Sequence, residues 1–286
     1  MARIAYDRIK DQLAGKVRTH PLLRRLLYLI LDLLFLRSWF LRREIRRWIR
    51  AREEMPFLVL DAGSGFGQYD RFVLSESSLA EIVAVDVKQA YLQDAEAYMR
   101  STGFGDRIRY RQVDLLELEE DSGYDLILCI DVLEHIEEDR EVLRRLQRAL
   151  KPGGTLMIHS PSHLSAEDAM GEEDSFVDEH ARAGYSDAEL REKLISSSLQ
   201  VERTGYTYGF WGHLSWVWTV KWPMLWLTRF GMSGLLLVLP WYLITFLPGM
   251  AMNALDLFGS NRKGAGIYAV AKRPGSPTPS EDSGIP

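Results

Sequence analysis

Cysteine occurs once in 286 residues, at Cys129, which excludes a disulfide framework and any zinc site built on cysteine clusters. It lies within the apolar run Leu126–Ile130 and reads as a buried, inert thiol. Charge is scarce in net terms, −5 in total, and no internal repeat is present. With 47% hydrophobic and 26% charged residues, the chain is neither disordered nor a conventional multi-span membrane protein. The N-terminal apolar run Leu26–Leu36 is shorter than the roughly 20 residues of a spanning helix. Asp32 interrupts it, and bulky basic residues follow where a signal peptide would have small ones at its cleavage site.

The small net charge conceals an asymmetry. Residues 1–56 carry 14 Lys/Arg against 6 Asp/Glu, and the remainder carries 21 against 34. A basic arm on an acidic body points to an anionic partner, either phospholipid headgroups or nucleic acid. Six of the eight tryptophans fall between Trp211 and Trp241, in the most apolar stretch of the chain, which favours a membrane interface over nucleic acid.

The chain divides into a basic helical region (1–55), an alternating strand–helix region (56–205), an apolar aromatic insertion (206–263), a last strand (264–272) and a Pro/Ser-rich tail read as disordered (273–286). In the first region Leu41, Ile45, Trp48 and Ile49 share one helical face, and Arg43, Arg46, Arg47 and Arg50 the other. Such a helix suits the headgroup layer; the alternative is a helix packed on the domain with a solvated basic face.

The most specific signal follows the strand Phe57–Leu60. Asp61-Ala62-Gly63-Ser64-Gly65-Phe66-Gly67 places three glycines in a strand-to-helix turn, where backbone without Cβ lets a ligand approach closely. Gln68 stands where the dinucleotide fingerprint needs glycine, which disfavours an NAD-dependent oxidoreductase, and no Lys-Ser/Thr follows to make a Walker loop. Four further elements come in order: Ile82–Val85 ending in Asp86, Ile108–Leu115 containing Asp114, Tyr124–Ile136 containing Asp131-Val132-Leu133-Glu134-His135, and Leu150–Ile158 with Pro152-Gly153-Gly154.

This series resembles the class I S-adenosylmethionine-dependent methyltransferases over residues 56–160, and more loosely over 161–205 and 264–272. The resemblance implies an α/β fold with a doubly wound, mostly parallel seven-stranded sheet and S-adenosylmethionine as cofactor. It implies that Asp61, Gly63, Gly65 and Gly67 line the methionine and ribose pocket. Asp86 would hold the ribose, Asp114 and the Leu115 backbone the adenine, and Asp131 would lie near the sulfonium end. Glu134 and His135 follow the fourth strand on the ligand-binding edge, where His135 would serve as a base. The alternatives are that the two open the next helix, or that with Asp131 they ligate a divalent metal, as suggested for some quinone-precursor O-methyltransferases with a similar Glu-His; no metal is assigned. His159, His163, His180 and Tyr185 lie in a segment read as covering the acceptor pocket, with His180 the favoured contact.

The insertion has no formal charge from Phe230 to Leu255, long enough to span a bilayer, but Pro240 and Pro248 are expected to break a continuous helix. Thr204–Phe210 and Gly266–Ala271 read as the last two strands of one sheet, so a single crossing is excluded. A monotopic hairpin is expected, with turns at Gly231–Gly234 and Pro248-Gly249 and with Lys221, Arg229, Arg262 and Lys263 at phosphate level. A buried homodimer interface is the alternative.

The sequence thus reads as a membrane-attached methyltransferase on a cytoplasmic face. Its acceptor would be hydrophobic, a quinone precursor, isoprenoid, lipid or lipid-linked glycan, with oxygen the methylated atom. Its partners would be the membrane surface, through residues 22–50 and 211–258, and no nucleic acid. A non-catalytic membrane adaptor and a nucleic-acid methyltransferase are the rival readings.

Overall fold

Short aliphatic runs ending in acidic or glycine-containing turns suit a parallel sheet, which buries both of its faces. The computed structural model describes residues 21–52, 54–168 and 181–275, and seven such runs join into one sheet. The strands are β1 (Phe57–Ala62), β2 (Ala80–Asp86), β3 (Ile108–Gln112), β4 (Tyr124–Ile130), β5 (Leu150–Pro161), β6 (Gln200–Thr207) and β7 (Gly266–Lys272). Their order is β3-β2-β1-β4-β5-β7-β6, with β7 antiparallel to both neighbours and the other pairs parallel. The order in which strands are added to the sheet reverses between β1 and β4, and open sheets of this kind bind ligands at the carboxyl strand ends beside such a switch point.

Alternate residues of the strands feed two cores. Leu60, Ala62, Ile127 and Cys129 face the helices Asp139–Ala149 and Asp187–Ser196. Ser186 caps the second of these by accepting from Glu189 N–H at 3.2 Å. Val59, Ile82, Leu126 and Leu128 face the other layer. That layer comprises α1 (Pro21–Leu34), α2 (Leu36–Arg50), α3 (Gln68–Glu76) and α4 (Gln89–Ser101), so the helices already named are α5 and α6.

One membrane expectation is corrected here. The apolar face of α2 does not enter a headgroup layer. Leu41 and Ile45 are fully buried in the core, and Trp48 lies edge-on to Phe57 and donates to Thr155 Oγ1 at 2.9 Å. The sheet face under β1, β4 and β5 needs a cover, and this stripe supplies it; the arginine face is the solvated one. On α1 the exposed apolar residues are Leu23, Leu26, Leu29 and Ile30, while Arg24 and Tyr28 point inward.

The insertion leaves at the end of β6, where Phe210 already begins a helix rather than extending the strand. It runs out through α7 (Phe210–Trp216), a π-turn (Val217–Lys221) and α8 (Trp222–Phe230). It turns at Gly231–Gly234 and returns as α9 (Leu235–Phe258). Each arm is about 30–36 Å long at 1.5 Å per residue, close to the thickness of a hydrocarbon core. Among the described residues, Phe210–Phe258 is the one helical stretch long and apolar enough to cross a membrane.

Pro240 and Pro248 lie inside α9 without ending it, and Pro248-Gly249 makes no turn. Instead Gly249 lets the arms close, since a Cβ there would stand 2.5 Å from Thr219 Cγ2. The discontinuity falls in the outgoing arm. Pro223 has no N–H to give to the carbonyls four and five residues behind it, those of Thr219 and Trp218. Donors from α9 replace it: Tyr242 O–H bonds the Thr219 carbonyl at 2.5 Å, and Trp241 Nε1 the Trp218 carbonyl at 2.7 Å. Ser215 Oγ donates to the Gly249 carbonyl at 3.0 Å. Lys221 does not reach an open headgroup level: it is 8% exposed and lies 5.6 Å from the Trp216 ring centre.

The seam is therefore small and polar, with Ser215, Thr219, Thr245 and Asn253 buried. The outer surface is apolar, with Leu236, Leu243, Ile244, Leu247 and Phe258 each more than two-thirds exposed. Replacing Gly249 by Leu should cost about 1–3 kcal/mol by overpacking this seam. Ala251→Leu on the outer face should be near neutral. Unfolding in detergent micelles checks this: equal effects from the two variants would contradict the seam.

Candidate active site

The glycine turn sits at the carboxyl end of β1. Gly63, Gly65 and Gly67 have φ of +84°, +53° and +72°, and a Cβ at Gly63 would collide with Val132. At Gly65 a Cβ would meet nothing within 4 Å, so that backbone borders open space. Beside it the Ser64 hydroxyl is buried without a partner among the described residues. The Gly63 and Ser64 N–H groups bond the Val85 carbonyl at 2.8 and 2.9 Å, fixing the turn against β2.

Asp86 ends β2. Its Oδ2 accepts from Gly65 N–H at 2.9 Å and its Oδ1 from Lys88 N–H at 2.8 Å. A carboxylate has about four acceptor sites, so capacity remains for both hydroxyls of a ribose. Asp114 is exposed and takes the Leu116 N–H at 2.9 Å on Oδ1, while the Leu115 side chain is buried beside it. These three elements lie along one sheet edge in the order expected of a nucleoside site.

Asp61 lies beneath the turn, 2% exposed, against the fully buried Asp70 of α3. Burial first, and then the charge of Asp86, raises the Asp61 carboxyl to about 7. Burial and the Asp61 charge push Asp70 well above the ordinary carboxyl range. The pair therefore retains a proton at neutral pH. The second acid was missed in the sequence, although its place in the first turn of the helix after the glycines is a readable signal.

The other end of the cleft is built around Asp131, in left-handed conformation at φ +53° just after β4. Its Oδ1 receives His159 Nδ1–H at 2.6 Å from β5, and its Oδ2 forms an ion pair with Arg37 of α2. His159 is 4% exposed, and its Nε2 lies 3.1 Å from Thr207 Oγ1 at the end of β6. With Nδ1–H given to Asp131, Nε2 accepts from Thr207. Sequence reasoning placed His159 in a covering segment and did not find Arg37. The signal for His159 was its position at the end of β5, where Ile130 and His159 are paired neighbours.

Glu134 is 1% exposed and accepts from Ser160 Oγ at 2.7 Å. Burial, with Asp131 next, raises its carboxyl to about 8, so it is neutral at pH 7. His135 is exposed on the turn after β4. His180 lies outside the described residues. Tyr185 is structural, buried with its hydroxyl donating to Asp139 Oδ2 at 2.7 Å, and His163 stands 3.4 Å from the Tyr185 carbonyl. Among the described residues no cluster of three His, Cys, Asp or Glu is placed to hold a metal ion.

The N-terminal helices hold this cleft from outside. Arg24 donates to the carbonyls of Phe66 and Asp94 at 2.9 and 2.6 Å, and Tyr28 O–H also bonds the Phe66 carbonyl. Gln68 Nε2 reaches Asp32 at 2.7 Å and Ser38 at 3.0 Å.

Comparison with known proteins bears on the same segment. Residues 60–156 match the family described as "Methyltransferase domain". The chain carries a methyltransferase domain of the class I, S-adenosylmethionine-dependent kind. Its cofactor is S-adenosylmethionine, and the open backbone at Gly65, the unpartnered Ser64 hydroxyl and the spare acceptor capacity of Asp86 fit that molecule.

Among curated proteins the methyltransferase domain is 35% identical over 101 residues to an uncharacterized protein of Synechococcus sp., covering 35% of this chain and 24% of that one. It is 30% identical over 100 residues to a ubiquinone biosynthesis O-methyltransferase of Rickettsia conorii, covering 35% of this chain and 33% of that protein. The match thus spans a third or less of the length of these relatives. Among solved structures the chain resembles the [4+2]-cyclase SpnF, with TM-score 0.57, 18% identity and 82% of each chain covered. It also resembles a putative sarcosine dimethylglycine methyltransferase of Galdieria sulphuraria, with TM-score 0.56, 15% identity, and 83% and 86% covered. These two likenesses concern the fold alone, and one belongs to a cyclase, so the reaction has to be argued from the site.

Asp61 and Asp70 carry raised folded-state pKa values, so the folded state retains protons that the unfolded chain releases near pH 4. Stability from the protonated pair is complete below that pH and is lost as pH rises through 7. Removing one proton-binding site should lessen the slope by about 1.4 kcal/mol per pH unit. Asp70→Asn should therefore gain stability relative to the parent as pH rises from 5 to 7.5, read by denaturant melts. Parallel pH profiles would contradict the retained proton.

Proposed function

We propose that the chain is a membrane-attached methyltransferase transferring a methyl group from S-adenosylmethionine to a hydrophobic acceptor that resides in the bilayer. When bound, this cofactor supplies a methyl group on a sulfonium, activated for transfer to a nucleophile. The observation that carries the reading is where the apolar hairpin is rooted. Thr207, at its outgoing root, contacts His159, and Tyr208 Oη accepts from Arg37 N–H at 3.3 Å. The hairpin therefore springs from the same sheet edge that carries Asp131, and an acceptor leaving the acyl layer along it arrives at that edge.

Asp86, Asp114 and the Leu115 backbone bind the nucleoside end, and Asp61 the methionine end. Asp131, fixed between Arg37 and His159, orients polar groups near the transferable methyl. Glu134, neutral and tied to Ser160, is a positioning residue that supports the turn carrying His135. His135 is the base that takes the acceptor's proton, with His180 as a second acceptor contact. Alignment in a site shielded from water supplies most of the acceleration.

The acceptor class is a quinone precursor, an isoprenoid or lipid, or a lipid-linked glycan, with oxygen the favoured atom. The ubiquinone O-methyltransferase of Rickettsia conorii supports the first of these, on the strength of the shared domain. The inside-out hairpin supports attachment, and the lack of paired cysteines supports a cytoplasmic face.

Incubation of the purified chain with methyl-labelled S-adenosylmethionine and host membrane extract should place label in the organic phase. Asp86→Ala removes a charged acceptor, with losses of about 1.5–3 kcal/mol per charged hydrogen bond. It should weaken cofactor binding on the order of 10- to 150-fold and abolish the label. Label confined to the aqueous phase would overturn the hydrophobic acceptor. No label, with cofactor binding intact and acceptors supplied, would favour a membrane adaptor.

A further inference from the structure

A groove lies away from the cofactor turn, on the far side of Asp32 and Gln68. It has a volume of about 660 Å³ between α1, α2 and the last turn of α9. Five arginines of α2 line it: Arg42, Arg43, Arg46, Arg47 and Arg50. Its rim is apolar, with Leu29 and Leu33 from α1 and Phe258 from α9. Phe258 is 82% exposed and continues the uncovered surface of the hairpin.

The guanidinium groups are held in place before any ligand arrives. Arg42 and Arg46 lie 4.4 and 5.0 Å from the Phe72 ring centre, and Arg43 lies 5.0 Å from that of Phe40. Arg43 Nη1 donates to the Leu257 carbonyl at 2.5 Å, tying the groove to the foot of the hairpin. Carboxylates answer only part of the charge. Arg42 pairs with Asp32, Arg46 with Glu76 at 2.8 Å, and Arg47 stands 3.5 Å from Glu44, which Arg203 also uses. Arg50 has no partner among the described residues, the buried Nε of Arg42 lacks an acceptor there, and Arg43 Nε lies 3.4 Å from the Glu44 carboxylate that Arg47 and Arg203 also use. Five cations facing three carboxylates leave an excess of positive charge beside an apolar rim at the level where the hairpin meets the domain. Basic clusters on a helix at that level recognise anionic lipid headgroups.

We propose that this groove binds the headgroup of an anionic phospholipid, with the phosphodiester at Arg47 and Arg50 and the acyl chains along Leu29, Leu33 and Phe258. The site rests on the membrane reading of the hairpin and adds to it a preference for lipid charge. The α2 helix then meets the membrane through its arginine face, while its tryptophan face stays in the core. Arginine also suits phosphate, since its planar fork offers two parallel donors.

The test is flotation of the full chain with vesicles of phosphatidylcholine alone or with phosphatidylglycerol added. The chain should bind both, and more tightly when phosphatidylglycerol is present. The double variant Arg47→Gln/Arg50→Gln changes exposed side chains only and should fold normally. It should lose about five-fold of the anionic gain per arginine, on the order of 25-fold for the pair, while binding to pure phosphatidylcholine stays as it was. Arg144→Gln/Arg148→Gln, on α5 across the sheet, should keep the gain. Added salt should erode it.

A gain that survives the α2 double variant, or falls equally in the α5 control, would overturn the site. So would stabilisation by inorganic phosphate with no gain from phosphatidylglycerol, which identifies a free-anion site. Binding to phosphatidylcholine with no anionic gain overturns the headgroup site alone. Binding to neither vesicle overturns the hairpin reading together with it.

Discussion

Both ends of the apolar insertion are strands of one sheet, and this constraint governs the rest of the molecule. Thr207 pairs with Gly266 in the β6–β7 ladder, so a chain that leaves at one must return at the other. Forty-nine helical residues, Phe210–Phe258, are thereby forced into an out-and-back hairpin. An isolated hairpin in water should bury its apolar side and expose its polar side. This one does the reverse, placing hydroxyls and glycine in the seam and leucines outside. That arrangement suits a solvent of lipid tails, where close backbone approach and satisfied polar groups hold helices together. The donors that Trp241 and Tyr242 give to the Trp218 and Thr219 carbonyls, where Pro223 offers no N–H, obey the same requirement.

The same constraint ties the apolar hairpin to the candidate site. The roots of the hairpin are neighbours of His159, which orients Asp131, which Arg37 holds from the other side. Three separate regions of sequence, the N-terminal helices, the two central strands and the insertion, therefore converge on one carboxylate. The N-terminal helices also brace the glycine turn through Arg24, Tyr28 and Gln68. The glycine turn, the Asp131 edge and the apolar hairpin are mechanically one unit, and the arginine groove sits at its base.

Local spacing made the nucleoside half of the site legible. The glycine turn, Asp86 and Asp114 each follow a strand, and a strand end fixes where its next residue lies. The seven-stranded, mostly parallel sheet was implied by the family resemblance that the same run of elements carries. What the sequence did not disclose is non-local. Asp70 becomes a partner of Asp61 only when α3 folds back over the turn. His159 and Arg37 reach Asp131 from 28 and 94 residues away. Helix α2 was ambiguous for a related reason: periodicity separates an apolar face from a basic one but does not say what covers the apolar face. Here the sheet does. In α9 the prolines suggested breaks, yet a proline removes only one backbone donor, and a neighbouring helix can tolerate or replace it.

Depth in the bilayer is the most direct measurement of the central claim, that the hairpin lies in the acyl layer with the catalytic cleft at its root. Six of the eight tryptophans belong to the hairpin region, so intrinsic fluorescence reports chiefly on it. In vesicles whose acyl chains carry bromine, that fluorescence should be strongly quenched, and cofactor binding should remain intact. Fluorescence unchanged by brominated chains, in protein shown to be vesicle-bound, would mean that the apolar surface faces another protein and would contradict the account.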